Sequence, residues 1–254
     1  MTASYAQGMK EGNTVSYAGL IRPVIDRVYV GLRRASGNRA RALYNQWELE
    51  PGIESDYYFA LLDHPVPTGA VAAAMVYRRF EPSREAARGV AVLEDGAWRL
   101  TADGRQLASG LQDTIGATAA ELWSLRPIAT MPGLEGLDRL CDLVGRCLEA
   151  GRASGGPAFA GLTPVFEPAG AGATMTLPSR LGALRHHRGD AHRAAWQSAG
   201  YQVEDLETMG EGPQRRAIEE DTNRRDEPVY GALSDGERLE LLAGLGALAD
   251  GLGR

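Results

Sequence analysis

The sequence predicts a mainly α-helical protein with one small β-hairpin. Apolar residues recur at helical spacing over most of the 254 residues. Two short strand-like runs, 90–93 and 97–100, flank an Asp95-Gly96 pair, which favours the positive backbone angles of a tight hairpin turn. A hydrophobic content of 44% is enough to build a core in one large domain or two small ones.

The N-terminal region, taken as 15–125, is expected to begin with helices after a loose tail over 1–14. Apolar residues between Tyr17 and Trp47 follow a helical period that is interrupted at Gly37-Asn38, which predicts two helices. A third helix is expected from Glu54 to Asp63, because the His-Pro-Val-Pro sequence that follows cannot continue it.

The segment 66–108 has the order helix, turn, short helix, hairpin and helix. Thr101 offers a side-chain oxygen that can cap the last of these helices. The sequence Arg-Leu-Thr-Ala-Asp-Gly-Arg at 99–105 closes the hairpin and opens that helix. This order and this motif resemble the wing and exit helix of the MarR-like winged helix-turn-helix superfamily. The resemblance implies a winged helix-turn-helix module followed by a helical C-terminal half.

The C-terminal region, taken as 132–254, is expected to be helical. Its predicted elements are a helix over 134–148, a Gly- and Pro-rich connection over 151–178, a helix from Ser179 to Gly200, a charged helix over 213–226 and a terminal helix over 234–252. Ser234 and Glu237 have the spacing of a capping box at the start of the terminal helix. The stretch 233–245 also looks like the helix through which MarR-like proteins dimerise, which implies a homodimer.

Charge is unevenly distributed along the chain. The net charge is −6, and residues 201–240 alone carry twelve acidic residues against five arginines. Residues 22–41 hold six arginines against one acidic residue. Such a basic patch is either a solvated helix face or a surface for a phosphate backbone.

The composition favours a cytoplasmic protein without membrane contact. No run approaches the roughly 20 apolar residues that cross a bilayer, and the N-terminus lacks the apolar core of a secretory signal. Cys141 and Cys147 lie six residues apart on one expected helix and face different sides, so a disulfide between them is not expected.

Candidate DNA contacts lie in and just before the short helix of the segment 66–108. They are Arg78, Arg79, Ser83, Arg84 and Arg88. Arginine side chains at such positions can meet base edges or phosphates in a major groove. The expected hairpin tip, however, carries Glu94 and Asp95, where contact with phosphate needs positive charge. The module therefore either binds DNA or keeps the fold for another use.

A second candidate site lies on the helix expected after Pro178. Its residues are His187, Arg188, Asp190, His192 and Trp196. On a helix, Arg188 and His192 are four residues apart and share a face. The stretch Arg-His-His-Arg-Gly-Asp-Ala-His at 185–192 resembles a pattern in an actinobacterial family of SalK-like helix-turn-helix proteins. The cluster is either a hydrogen-bonded structural network or a site for an organic ligand or proton transfer, and we expect neither a metal ion nor a cofactor.

The function predicted from these features is a ligand-responsive transcriptional regulator whose partners are DNA and a small organic ligand. The alternative is a winged-helix scaffold that is reused as a small-molecule binding protein or an enzyme in specialised metabolism, with the His-Arg-Asp-His cluster as its site. A third possibility is an interaction module. The sequence has no phosphate-binding loop, dinucleotide-binding glycine motif or G-x-S-x-G motif that would indicate other chemistry.

Overall fold

The computed structural model describes residues 16–78, 80–125, 127–250 and 252, so the tail expected over 1–14 lies outside the described residues. The helices in these ranges are α1 (Tyr17–Gln46), α2 (Ser55–Ala60), α3 (Thr68–Ala74), α4 (Pro82–Ala87), α5 (Ala102–Ser124), α6 (Leu137–Gly151), α7 (Pro157–Ala160), α8 (Ala173–Ser198), α9 (Val203–Thr208), α10 (Pro213–Asp226) and α11 (Asp235–Asp250). The strands are β1 (Val66–Pro67), β2 (Ala91–Glu94) and β3 (Ala97–Leu100). Short 3-10 helices cover Ile128–Thr130 and Glu227–Ala232. The prediction of a mainly helical protein with a small hairpin is confirmed.

The first helix, α1, runs unbroken for 30 residues. The predicted break at Gly37-Asn38 is therefore wrong. A glycine inside a helix costs only about 1 kcal/mol relative to alanine. Full burial of an apolar side chain contributes about 1.5–3 kcal/mol, and α1 buries several, among them Ile21, Val28 and Leu32. Packing of this face outweighs the glycine.

The start of α1 is capped by a distant residue as well as a local one. The Ser16 side chain accepts a hydrogen bond from the Gly19 amide at 3.1 Å. The Glu227 carboxylate accepts from the amides of Tyr17 at 3.3 Å and Ala18 at 2.9 Å. A carboxylate at this end is favourable, because the first amides of a helix have no internal partner and carry partial positive charge. The first turn of α1 is thereby joined to the segment after α10.

The hairpin forms as the sequence predicts. Asp95 and Gly96 both have positive φ, 50° and 76°, and Leu93 pairs with Trp98 across the two strands. Strand β1 adds a third, antiparallel strand in which Val66 pairs with Trp98. With only two residues, β1 is too short for its hydrophobic pattern to predict it. At the end of β3, the Thr101 side chain caps α5 by accepting from the Gly104 amide at 3.0 Å.

The long helix of the C-terminal half, α8, begins at Ala173 and contains Pro178. Our prediction that it begins after Pro178 is therefore wrong. The proline has no amide to donate, so the helix loses about one backbone hydrogen bond near its first turn. The neighbouring Leu177 and Leu181 are completely buried, and their burial outweighs that loss. The expected connection over 151–178 is correspondingly shorter and also contains α7.

The last helices agree closely with the sequence prediction. Helix α10 covers the expected 213–226, whereas the short α9 is not anticipated by the pattern. The capping box of α11 is confirmed: the Glu237 amide donates to Ser234 Oγ at 3.3 Å, and the Ser234 amide donates to Glu237 Oε2 at 2.9 Å.

One large hydrophobic core connects the regions 15–125 and 132–254. Helix α1 packs against α5 from its own region and against α8 and α11 from the other. Cys141 and Cys147 lie in this core as free, buried thiols, and burial raises the pKa of each to about 12. Among the described helices, none combines the length and apolar character needed to span a bilayer.

Candidate functional site

Helix α8 carries every residue of the ligand-site prediction, and it is packed on several sides. Helices α1, α5, α6 and α10 all contact it. Successive turns of α8 therefore point its polar side chains at different neighbours. Arg188 and His192, four residues apart, face the side between α1 and α10, where both line a cavity of about 270 Å³. His187 and Asp190 do not line this cavity.

The cavity is rich in arginine, and we call it the arginine cavity. Four guanidinium groups line it together with two carboxylates; these residues are Arg22, Arg185, Arg188, Arg215, Asp26 and Glu219. Helix α1 supplies Arg22 and Asp26, helix α8 supplies Arg185 and Arg188, and helix α10 supplies the other two.

Each carboxylate of the arginine cavity lies beside two arginines, so positive charge remains in excess. Asp26 accepts from Arg185 Nε at 2.7 Å and lies 3.4 Å from Arg22 Nε. Glu219 lies 3.2 Å from both Arg22 and Arg188. Arg188 also reaches Asp226 behind the wall at 3.4 Å. Asp26, Glu219 and Asp226 thus compensate Arg22, Arg185 and Arg188, so the excess positive charge belongs to the fourth arginine, Arg215.

Arg215 is the least compensated of the four arginines. Its nearest carboxylate belongs to Glu211, at 3.9 Å, and the Glu211 side chain is 92% exposed. Its other contact is a hydrogen bond to the Met209 carbonyl at 3.3 Å. A solvated ion pair of this kind contributes little stability, so the charge of Arg215 is available to a ligand.

His192 is held in one tautomer by its neighbour on α10. The Thr222 hydroxyl donates to the Ile218 carbonyl at 2.8 Å, so its oxygen is left to accept from His192 Nδ1 at 3.1 Å. Nδ1 thus carries the hydrogen, and Nε2 keeps a free lone pair. Burial lowers the pKa of His192, and nearby arginines lower it further, while Glu219 opposes the shift. The imidazole is therefore neutral at pH 7 and can accept a hydrogen bond or a proton.

A second, mainly apolar cavity of about 160 Å³ adjoins the first. Both cavities are lined by Tyr77, His192 and Arg215, and the second adds Leu206, Glu207, Met209 and Ile218. Trp196 lines neither cavity, but its indole Nε1 donates to the Tyr77 hydroxyl at 2.9 Å. Trp196 therefore holds Tyr77 in place in the cavity wall, whereas we expected Trp196 itself to contact the ligand.

Asp190 has a structural role at the opposite face of α8. Its carboxylate accepts from the amides of Ala158 at 3.3 Å and Phe159 at 2.9 Å, at the start of α7. It also pairs with Arg193 at 2.5 Å. All of these contacts are directed away from the arginine cavity. His187 lies on the same side of α8, between Ser154 and Asp226.

A third group of ligand-type side chains surrounds His186. One atom each of Glu54, Asp56 and His186 lies within 4.8 Å of the others, which matches the donor types of a divalent-cation site. Asp56, however, already accepts from the Tyr29 hydroxyl at 2.5 Å and pairs with Arg33. The charge of Asp56 is therefore balanced by protein groups. Glu54, Asp56 and His186 together attract a cation less strongly than an isolated pair of carboxylates would.

The candidate DNA contacts are divided by the structure. Ser83 and Arg84 are exposed on α4, and Arg78 is exposed just before it. Arg79 lies outside the described residues. The Arg88 side chain is only 12% exposed; it pairs with the buried Glu85 at 3.2 Å and donates to the Glu50 carbonyl. Arg88 is therefore occupied within the protein and is not free to reach phosphate.

Several residues of the arginine cavity are not part of the sequence prediction. Arg22 belongs to the basic patch over 22–41, but nothing in the sequence shows that it faces α8. Tyr77 and Arg215 stand 138 positions apart in the numbering and carry no motif. The one available signal is the charged character of α10, whose arginines and acids alternate without showing which of them face inward.

Comparison with protein-family models, with curated proteins and with solved structures produced no match to the chain.

Proposed function

We propose that the protein binds a small organic anion in the arginine cavity, with the apolar part of the ligand in the adjoining cavity. The observation that carries this proposal is the excess of guanidinium groups over carboxylates around a cavity between α1, α8 and α10. Arginine suits such a role because its planar group binds carboxylate or phosphate with two parallel hydrogen bonds. The combined space lies near the lower end of small-molecule sites, which begin at about 300 Å³.

The arrangement also defines the chemistry of the ligand. An anionic group would face Arg215, whose positive charge is the least compensated in the cavity. His192 Nε2 would accept from a hydroxyl or other acidic hydrogen of the ligand. Leu206, Met209 and Ile218 would surround its apolar part. A hydroxylated aromatic carboxylate meets all three requirements, and with such a ligand His192 is placed to act as a general base.

Binding of the fluorescent anion 8-anilinonaphthalene-1-sulfonate tests this proposal, because the probe combines a sulfonate with apolar rings. We expect one tight site per chain and a loss of affinity of about 10-fold in Arg215→Gln, equivalent to about 1.4 kcal/mol. The matched control is Arg224→Gln on the same helix. Its side chain is 75% exposed, pairs with Asp221 and lines neither cavity.

Equal affinity of the two variants for the probe would contradict the proposal. A larger loss in Arg215→Gln that disappears at high salt would support it, since salt screens a charge contact near the surface. Circular dichroism of both variants checks that the fold is retained.

A second candidate is the ligand-responsive regulator that the sequence predicts, in which α3, α4 and the β2–β3 hairpin form the winged helix-turn-helix. The observation that favours it is the position of Tyr77, which lines both cavities and lies between α3 and α4. A ligand that contacts Tyr77 would influence the segment that carries Arg78 and leads to Ser83 and Arg84. In this proposal the protein acts in the cytoplasm as a homodimer, and each copy reads one half-site.

The regulator is tested with a labelled DNA fragment from upstream of its own coding region and a scrambled fragment, each at two salt concentrations. Specific binding should weaken steeply with salt and with Arg84→Ala. Glu94 and Asp95 at the hairpin tip repel phosphate and therefore oppose DNA binding. Binding without a preference for the native fragment would contradict this second candidate.

A further inference from the structure

The side of α8 that faces away from the arginine cavity carries a chain of three side chains from three different helices or turns. The Ser154 hydroxyl lies 2.9 Å from His187 Nε2. His187 Nδ1 lies 2.8 Å from Asp226 Oδ1. Ser154 stands in the turn that follows α6, His187 in α8, and Asp226 is the last residue of α10. No sequence motif joins them, and only the packing of α6 and α10 against α8 brings them together.

The positions of the hydrogens follow from the partners. An ionised carboxylate only accepts, so His187 Nδ1 carries a hydrogen and donates it to Asp226. In the neutral imidazole His187 Nε2 is then the unprotonated nitrogen, to which the Ser154 hydroxyl donates. This is the order of groups that activates a serine hydroxyl by general-base catalysis: the carboxylate orients the imidazole, and the imidazole takes the proton of the serine.

The burial of the three residues differs in the way that a reactive serine requires. The side chains of His187 and Asp226 are each 1% exposed, whereas Ser154 is exposed. The Phe159 ring packs edge-on against the imidazole, with ring centroids 5.2 Å apart, and this contact fixes the ring orientation. Of the three, Ser154 alone can be reached by a reagent from solution.

We propose that Ser154 is a nucleophile that His187 and Asp226 activate, and that it accepts the acyl group of small, activated esters. In the acylation step, Ser154 Oγ forms a bond to the carbonyl carbon while its proton moves to His187 Nε2. The ester carbon–oxygen bond then breaks, and His187 returns the proton to the departing alkoxide. The products are an alcohol and acyl-Ser154; attack by water, with the same proton path, releases the acid and restores the serine.

The surroundings of Ser154 set the class of substrate and the expected rate. Ser154 lines neither the arginine cavity nor the apolar cavity beside it, so it suits short acyl groups that need no deep pocket. The Ser154 amide donates to the Gly151 carbonyl, so this amide is not free to stabilise an oxyanion. Loss of one such donor lowers the rate about 10²- to 10³-fold in serine hydrolases. We therefore expect acylation of one serine per chain with slow turnover.

The test treats the full chain with p-nitrophenyl acetate and with a fluorophosphonate, and locates the adduct by intact-mass and peptide mass spectrometry. The fluorophosphonate forms an oxygen–phosphorus bond as fluoride leaves, so it traps the same nucleophile without turnover. We expect one adduct, on Ser154, that is absent in Ser154→Ala. The control is Ser198→Ala: Ser198 is also exposed, but its hydroxyl accepts from Arg225 at 3.0 Å and contacts no imidazole.

A second pair of variants avoids any change to the buried residues. In Ser154→Cys and Ser198→Cys a thiol replaces each exposed hydroxyl, while the native Cys141 and Cys147 stay buried. We expect iodoacetamide to alkylate Ser154→Cys at least 10-fold faster than Ser198→Cys at pH 7, because His187 takes the thiol proton. Equal alkylation rates, or fluorophosphonate adducts spread over several serines, would overturn the proposal. Ser154, His187 and Asp226 would then form a structural hydrogen-bond network only. Neither outcome depends on Arg215, so the result is independent of the anion-binding proposal.

Discussion

Replacing Asp226 with asparagine tests how strongly the buried charge network stabilises the fold. The Asp226 carboxylate accepts from His187 at 2.8 Å through Oδ1 and lies 3.4 Å from Arg188 through Oδ2. In Asp226→Asn the side-chain oxygen still accepts from one of these donors. The side-chain amide nitrogen then faces the other donor, and the charge that balanced Arg188 is gone.

The expected loss can be worked from this geometry. Removal of one partner from a buried ion pair costs about 3–5 kcal/mol, and the hydrogen bond that asparagine retains offsets about 1 kcal/mol of that. We therefore expect Asp226→Asn to lower the free energy of unfolding by about 2–4 kcal/mol. The control is Asp221→Asn on the same helix, whose side chain is 22% exposed and pairs with Arg225 at 3.0 Å. A partly exposed pair of this kind contributes less than about 1 kcal/mol.

The assay is urea-induced unfolding followed by circular dichroism and tryptophan fluorescence, with the dependence on urea concentration compared between variants. If Asp226→Asn destabilises the protein no more than Asp221→Asn, the charge of Asp226 does not stabilise the fold. An altered urea dependence would show instead that the unfolding reaction itself has changed.

Three further predictions concern packing and pH. Gly104→Ala should lower the free energy of unfolding by about 1–3 kcal/mol, because the new Cβ would lie 1.8 Å from the Val90 carbonyl oxygen; an unchanged urea midpoint would contradict this. Hydrogen bonds from Arg146 and Ser234 lower the pKa of Glu237 from 4.5 to about 2, so its stabilising effect is complete above pH 4.5 and is lost as the pH falls through 2. Glu237→Gln should accordingly be less stable than wild type at pH 5 and equally stable near pH 2, as measured by thermal unfolding. The imidazole of His192 should titrate below its ordinary pKa of 6.5 in an NMR titration, because burial disfavours the charged form. The stability that the neutral imidazole contributes is then present above pH 6.5 and decreases below it. A titration midpoint above 6.5 would show that the environment favours the cation.

The fold was predictable from the sequence where local chemistry decides the structure. The Asp95-Gly96 turn, the Thr101 cap and the Ser234–Glu237 capping box depend on residues within a few positions of one another, and all three form as expected. The two errors in helix limits have one cause. Gly37 and Pro178 weaken a helix locally, and packing against distant helices outweighs that local cost.

The candidate site was predictable only in part, because a sequence shows which residues share a helix face but not what that face meets. The spacing of Arg188 and His192 indicates a common face, and the structure places both in one cavity. The partners of that face come from α1 and α10, so Arg22 and Arg215 could not be assigned. The same limit applies to His187, whose carboxylate partner is Asp226 on α10 and not the nearby Asp190.

The capping of α1 by Glu227 has a consequence for the order in which the chain folds during synthesis. The Glu227 carboxylate accepts a hydrogen bond from the Ala18 amide, and Glu227 leaves the ribosome 209 residues after Ala18. Until then the first turn of α1 lacks this cap, and the part of its apolar face that meets α11 has no partner. A nascent chain that stops before Glu227 should therefore expose α1 to proteases and chaperones, whereas a chain extended through α11 should protect it.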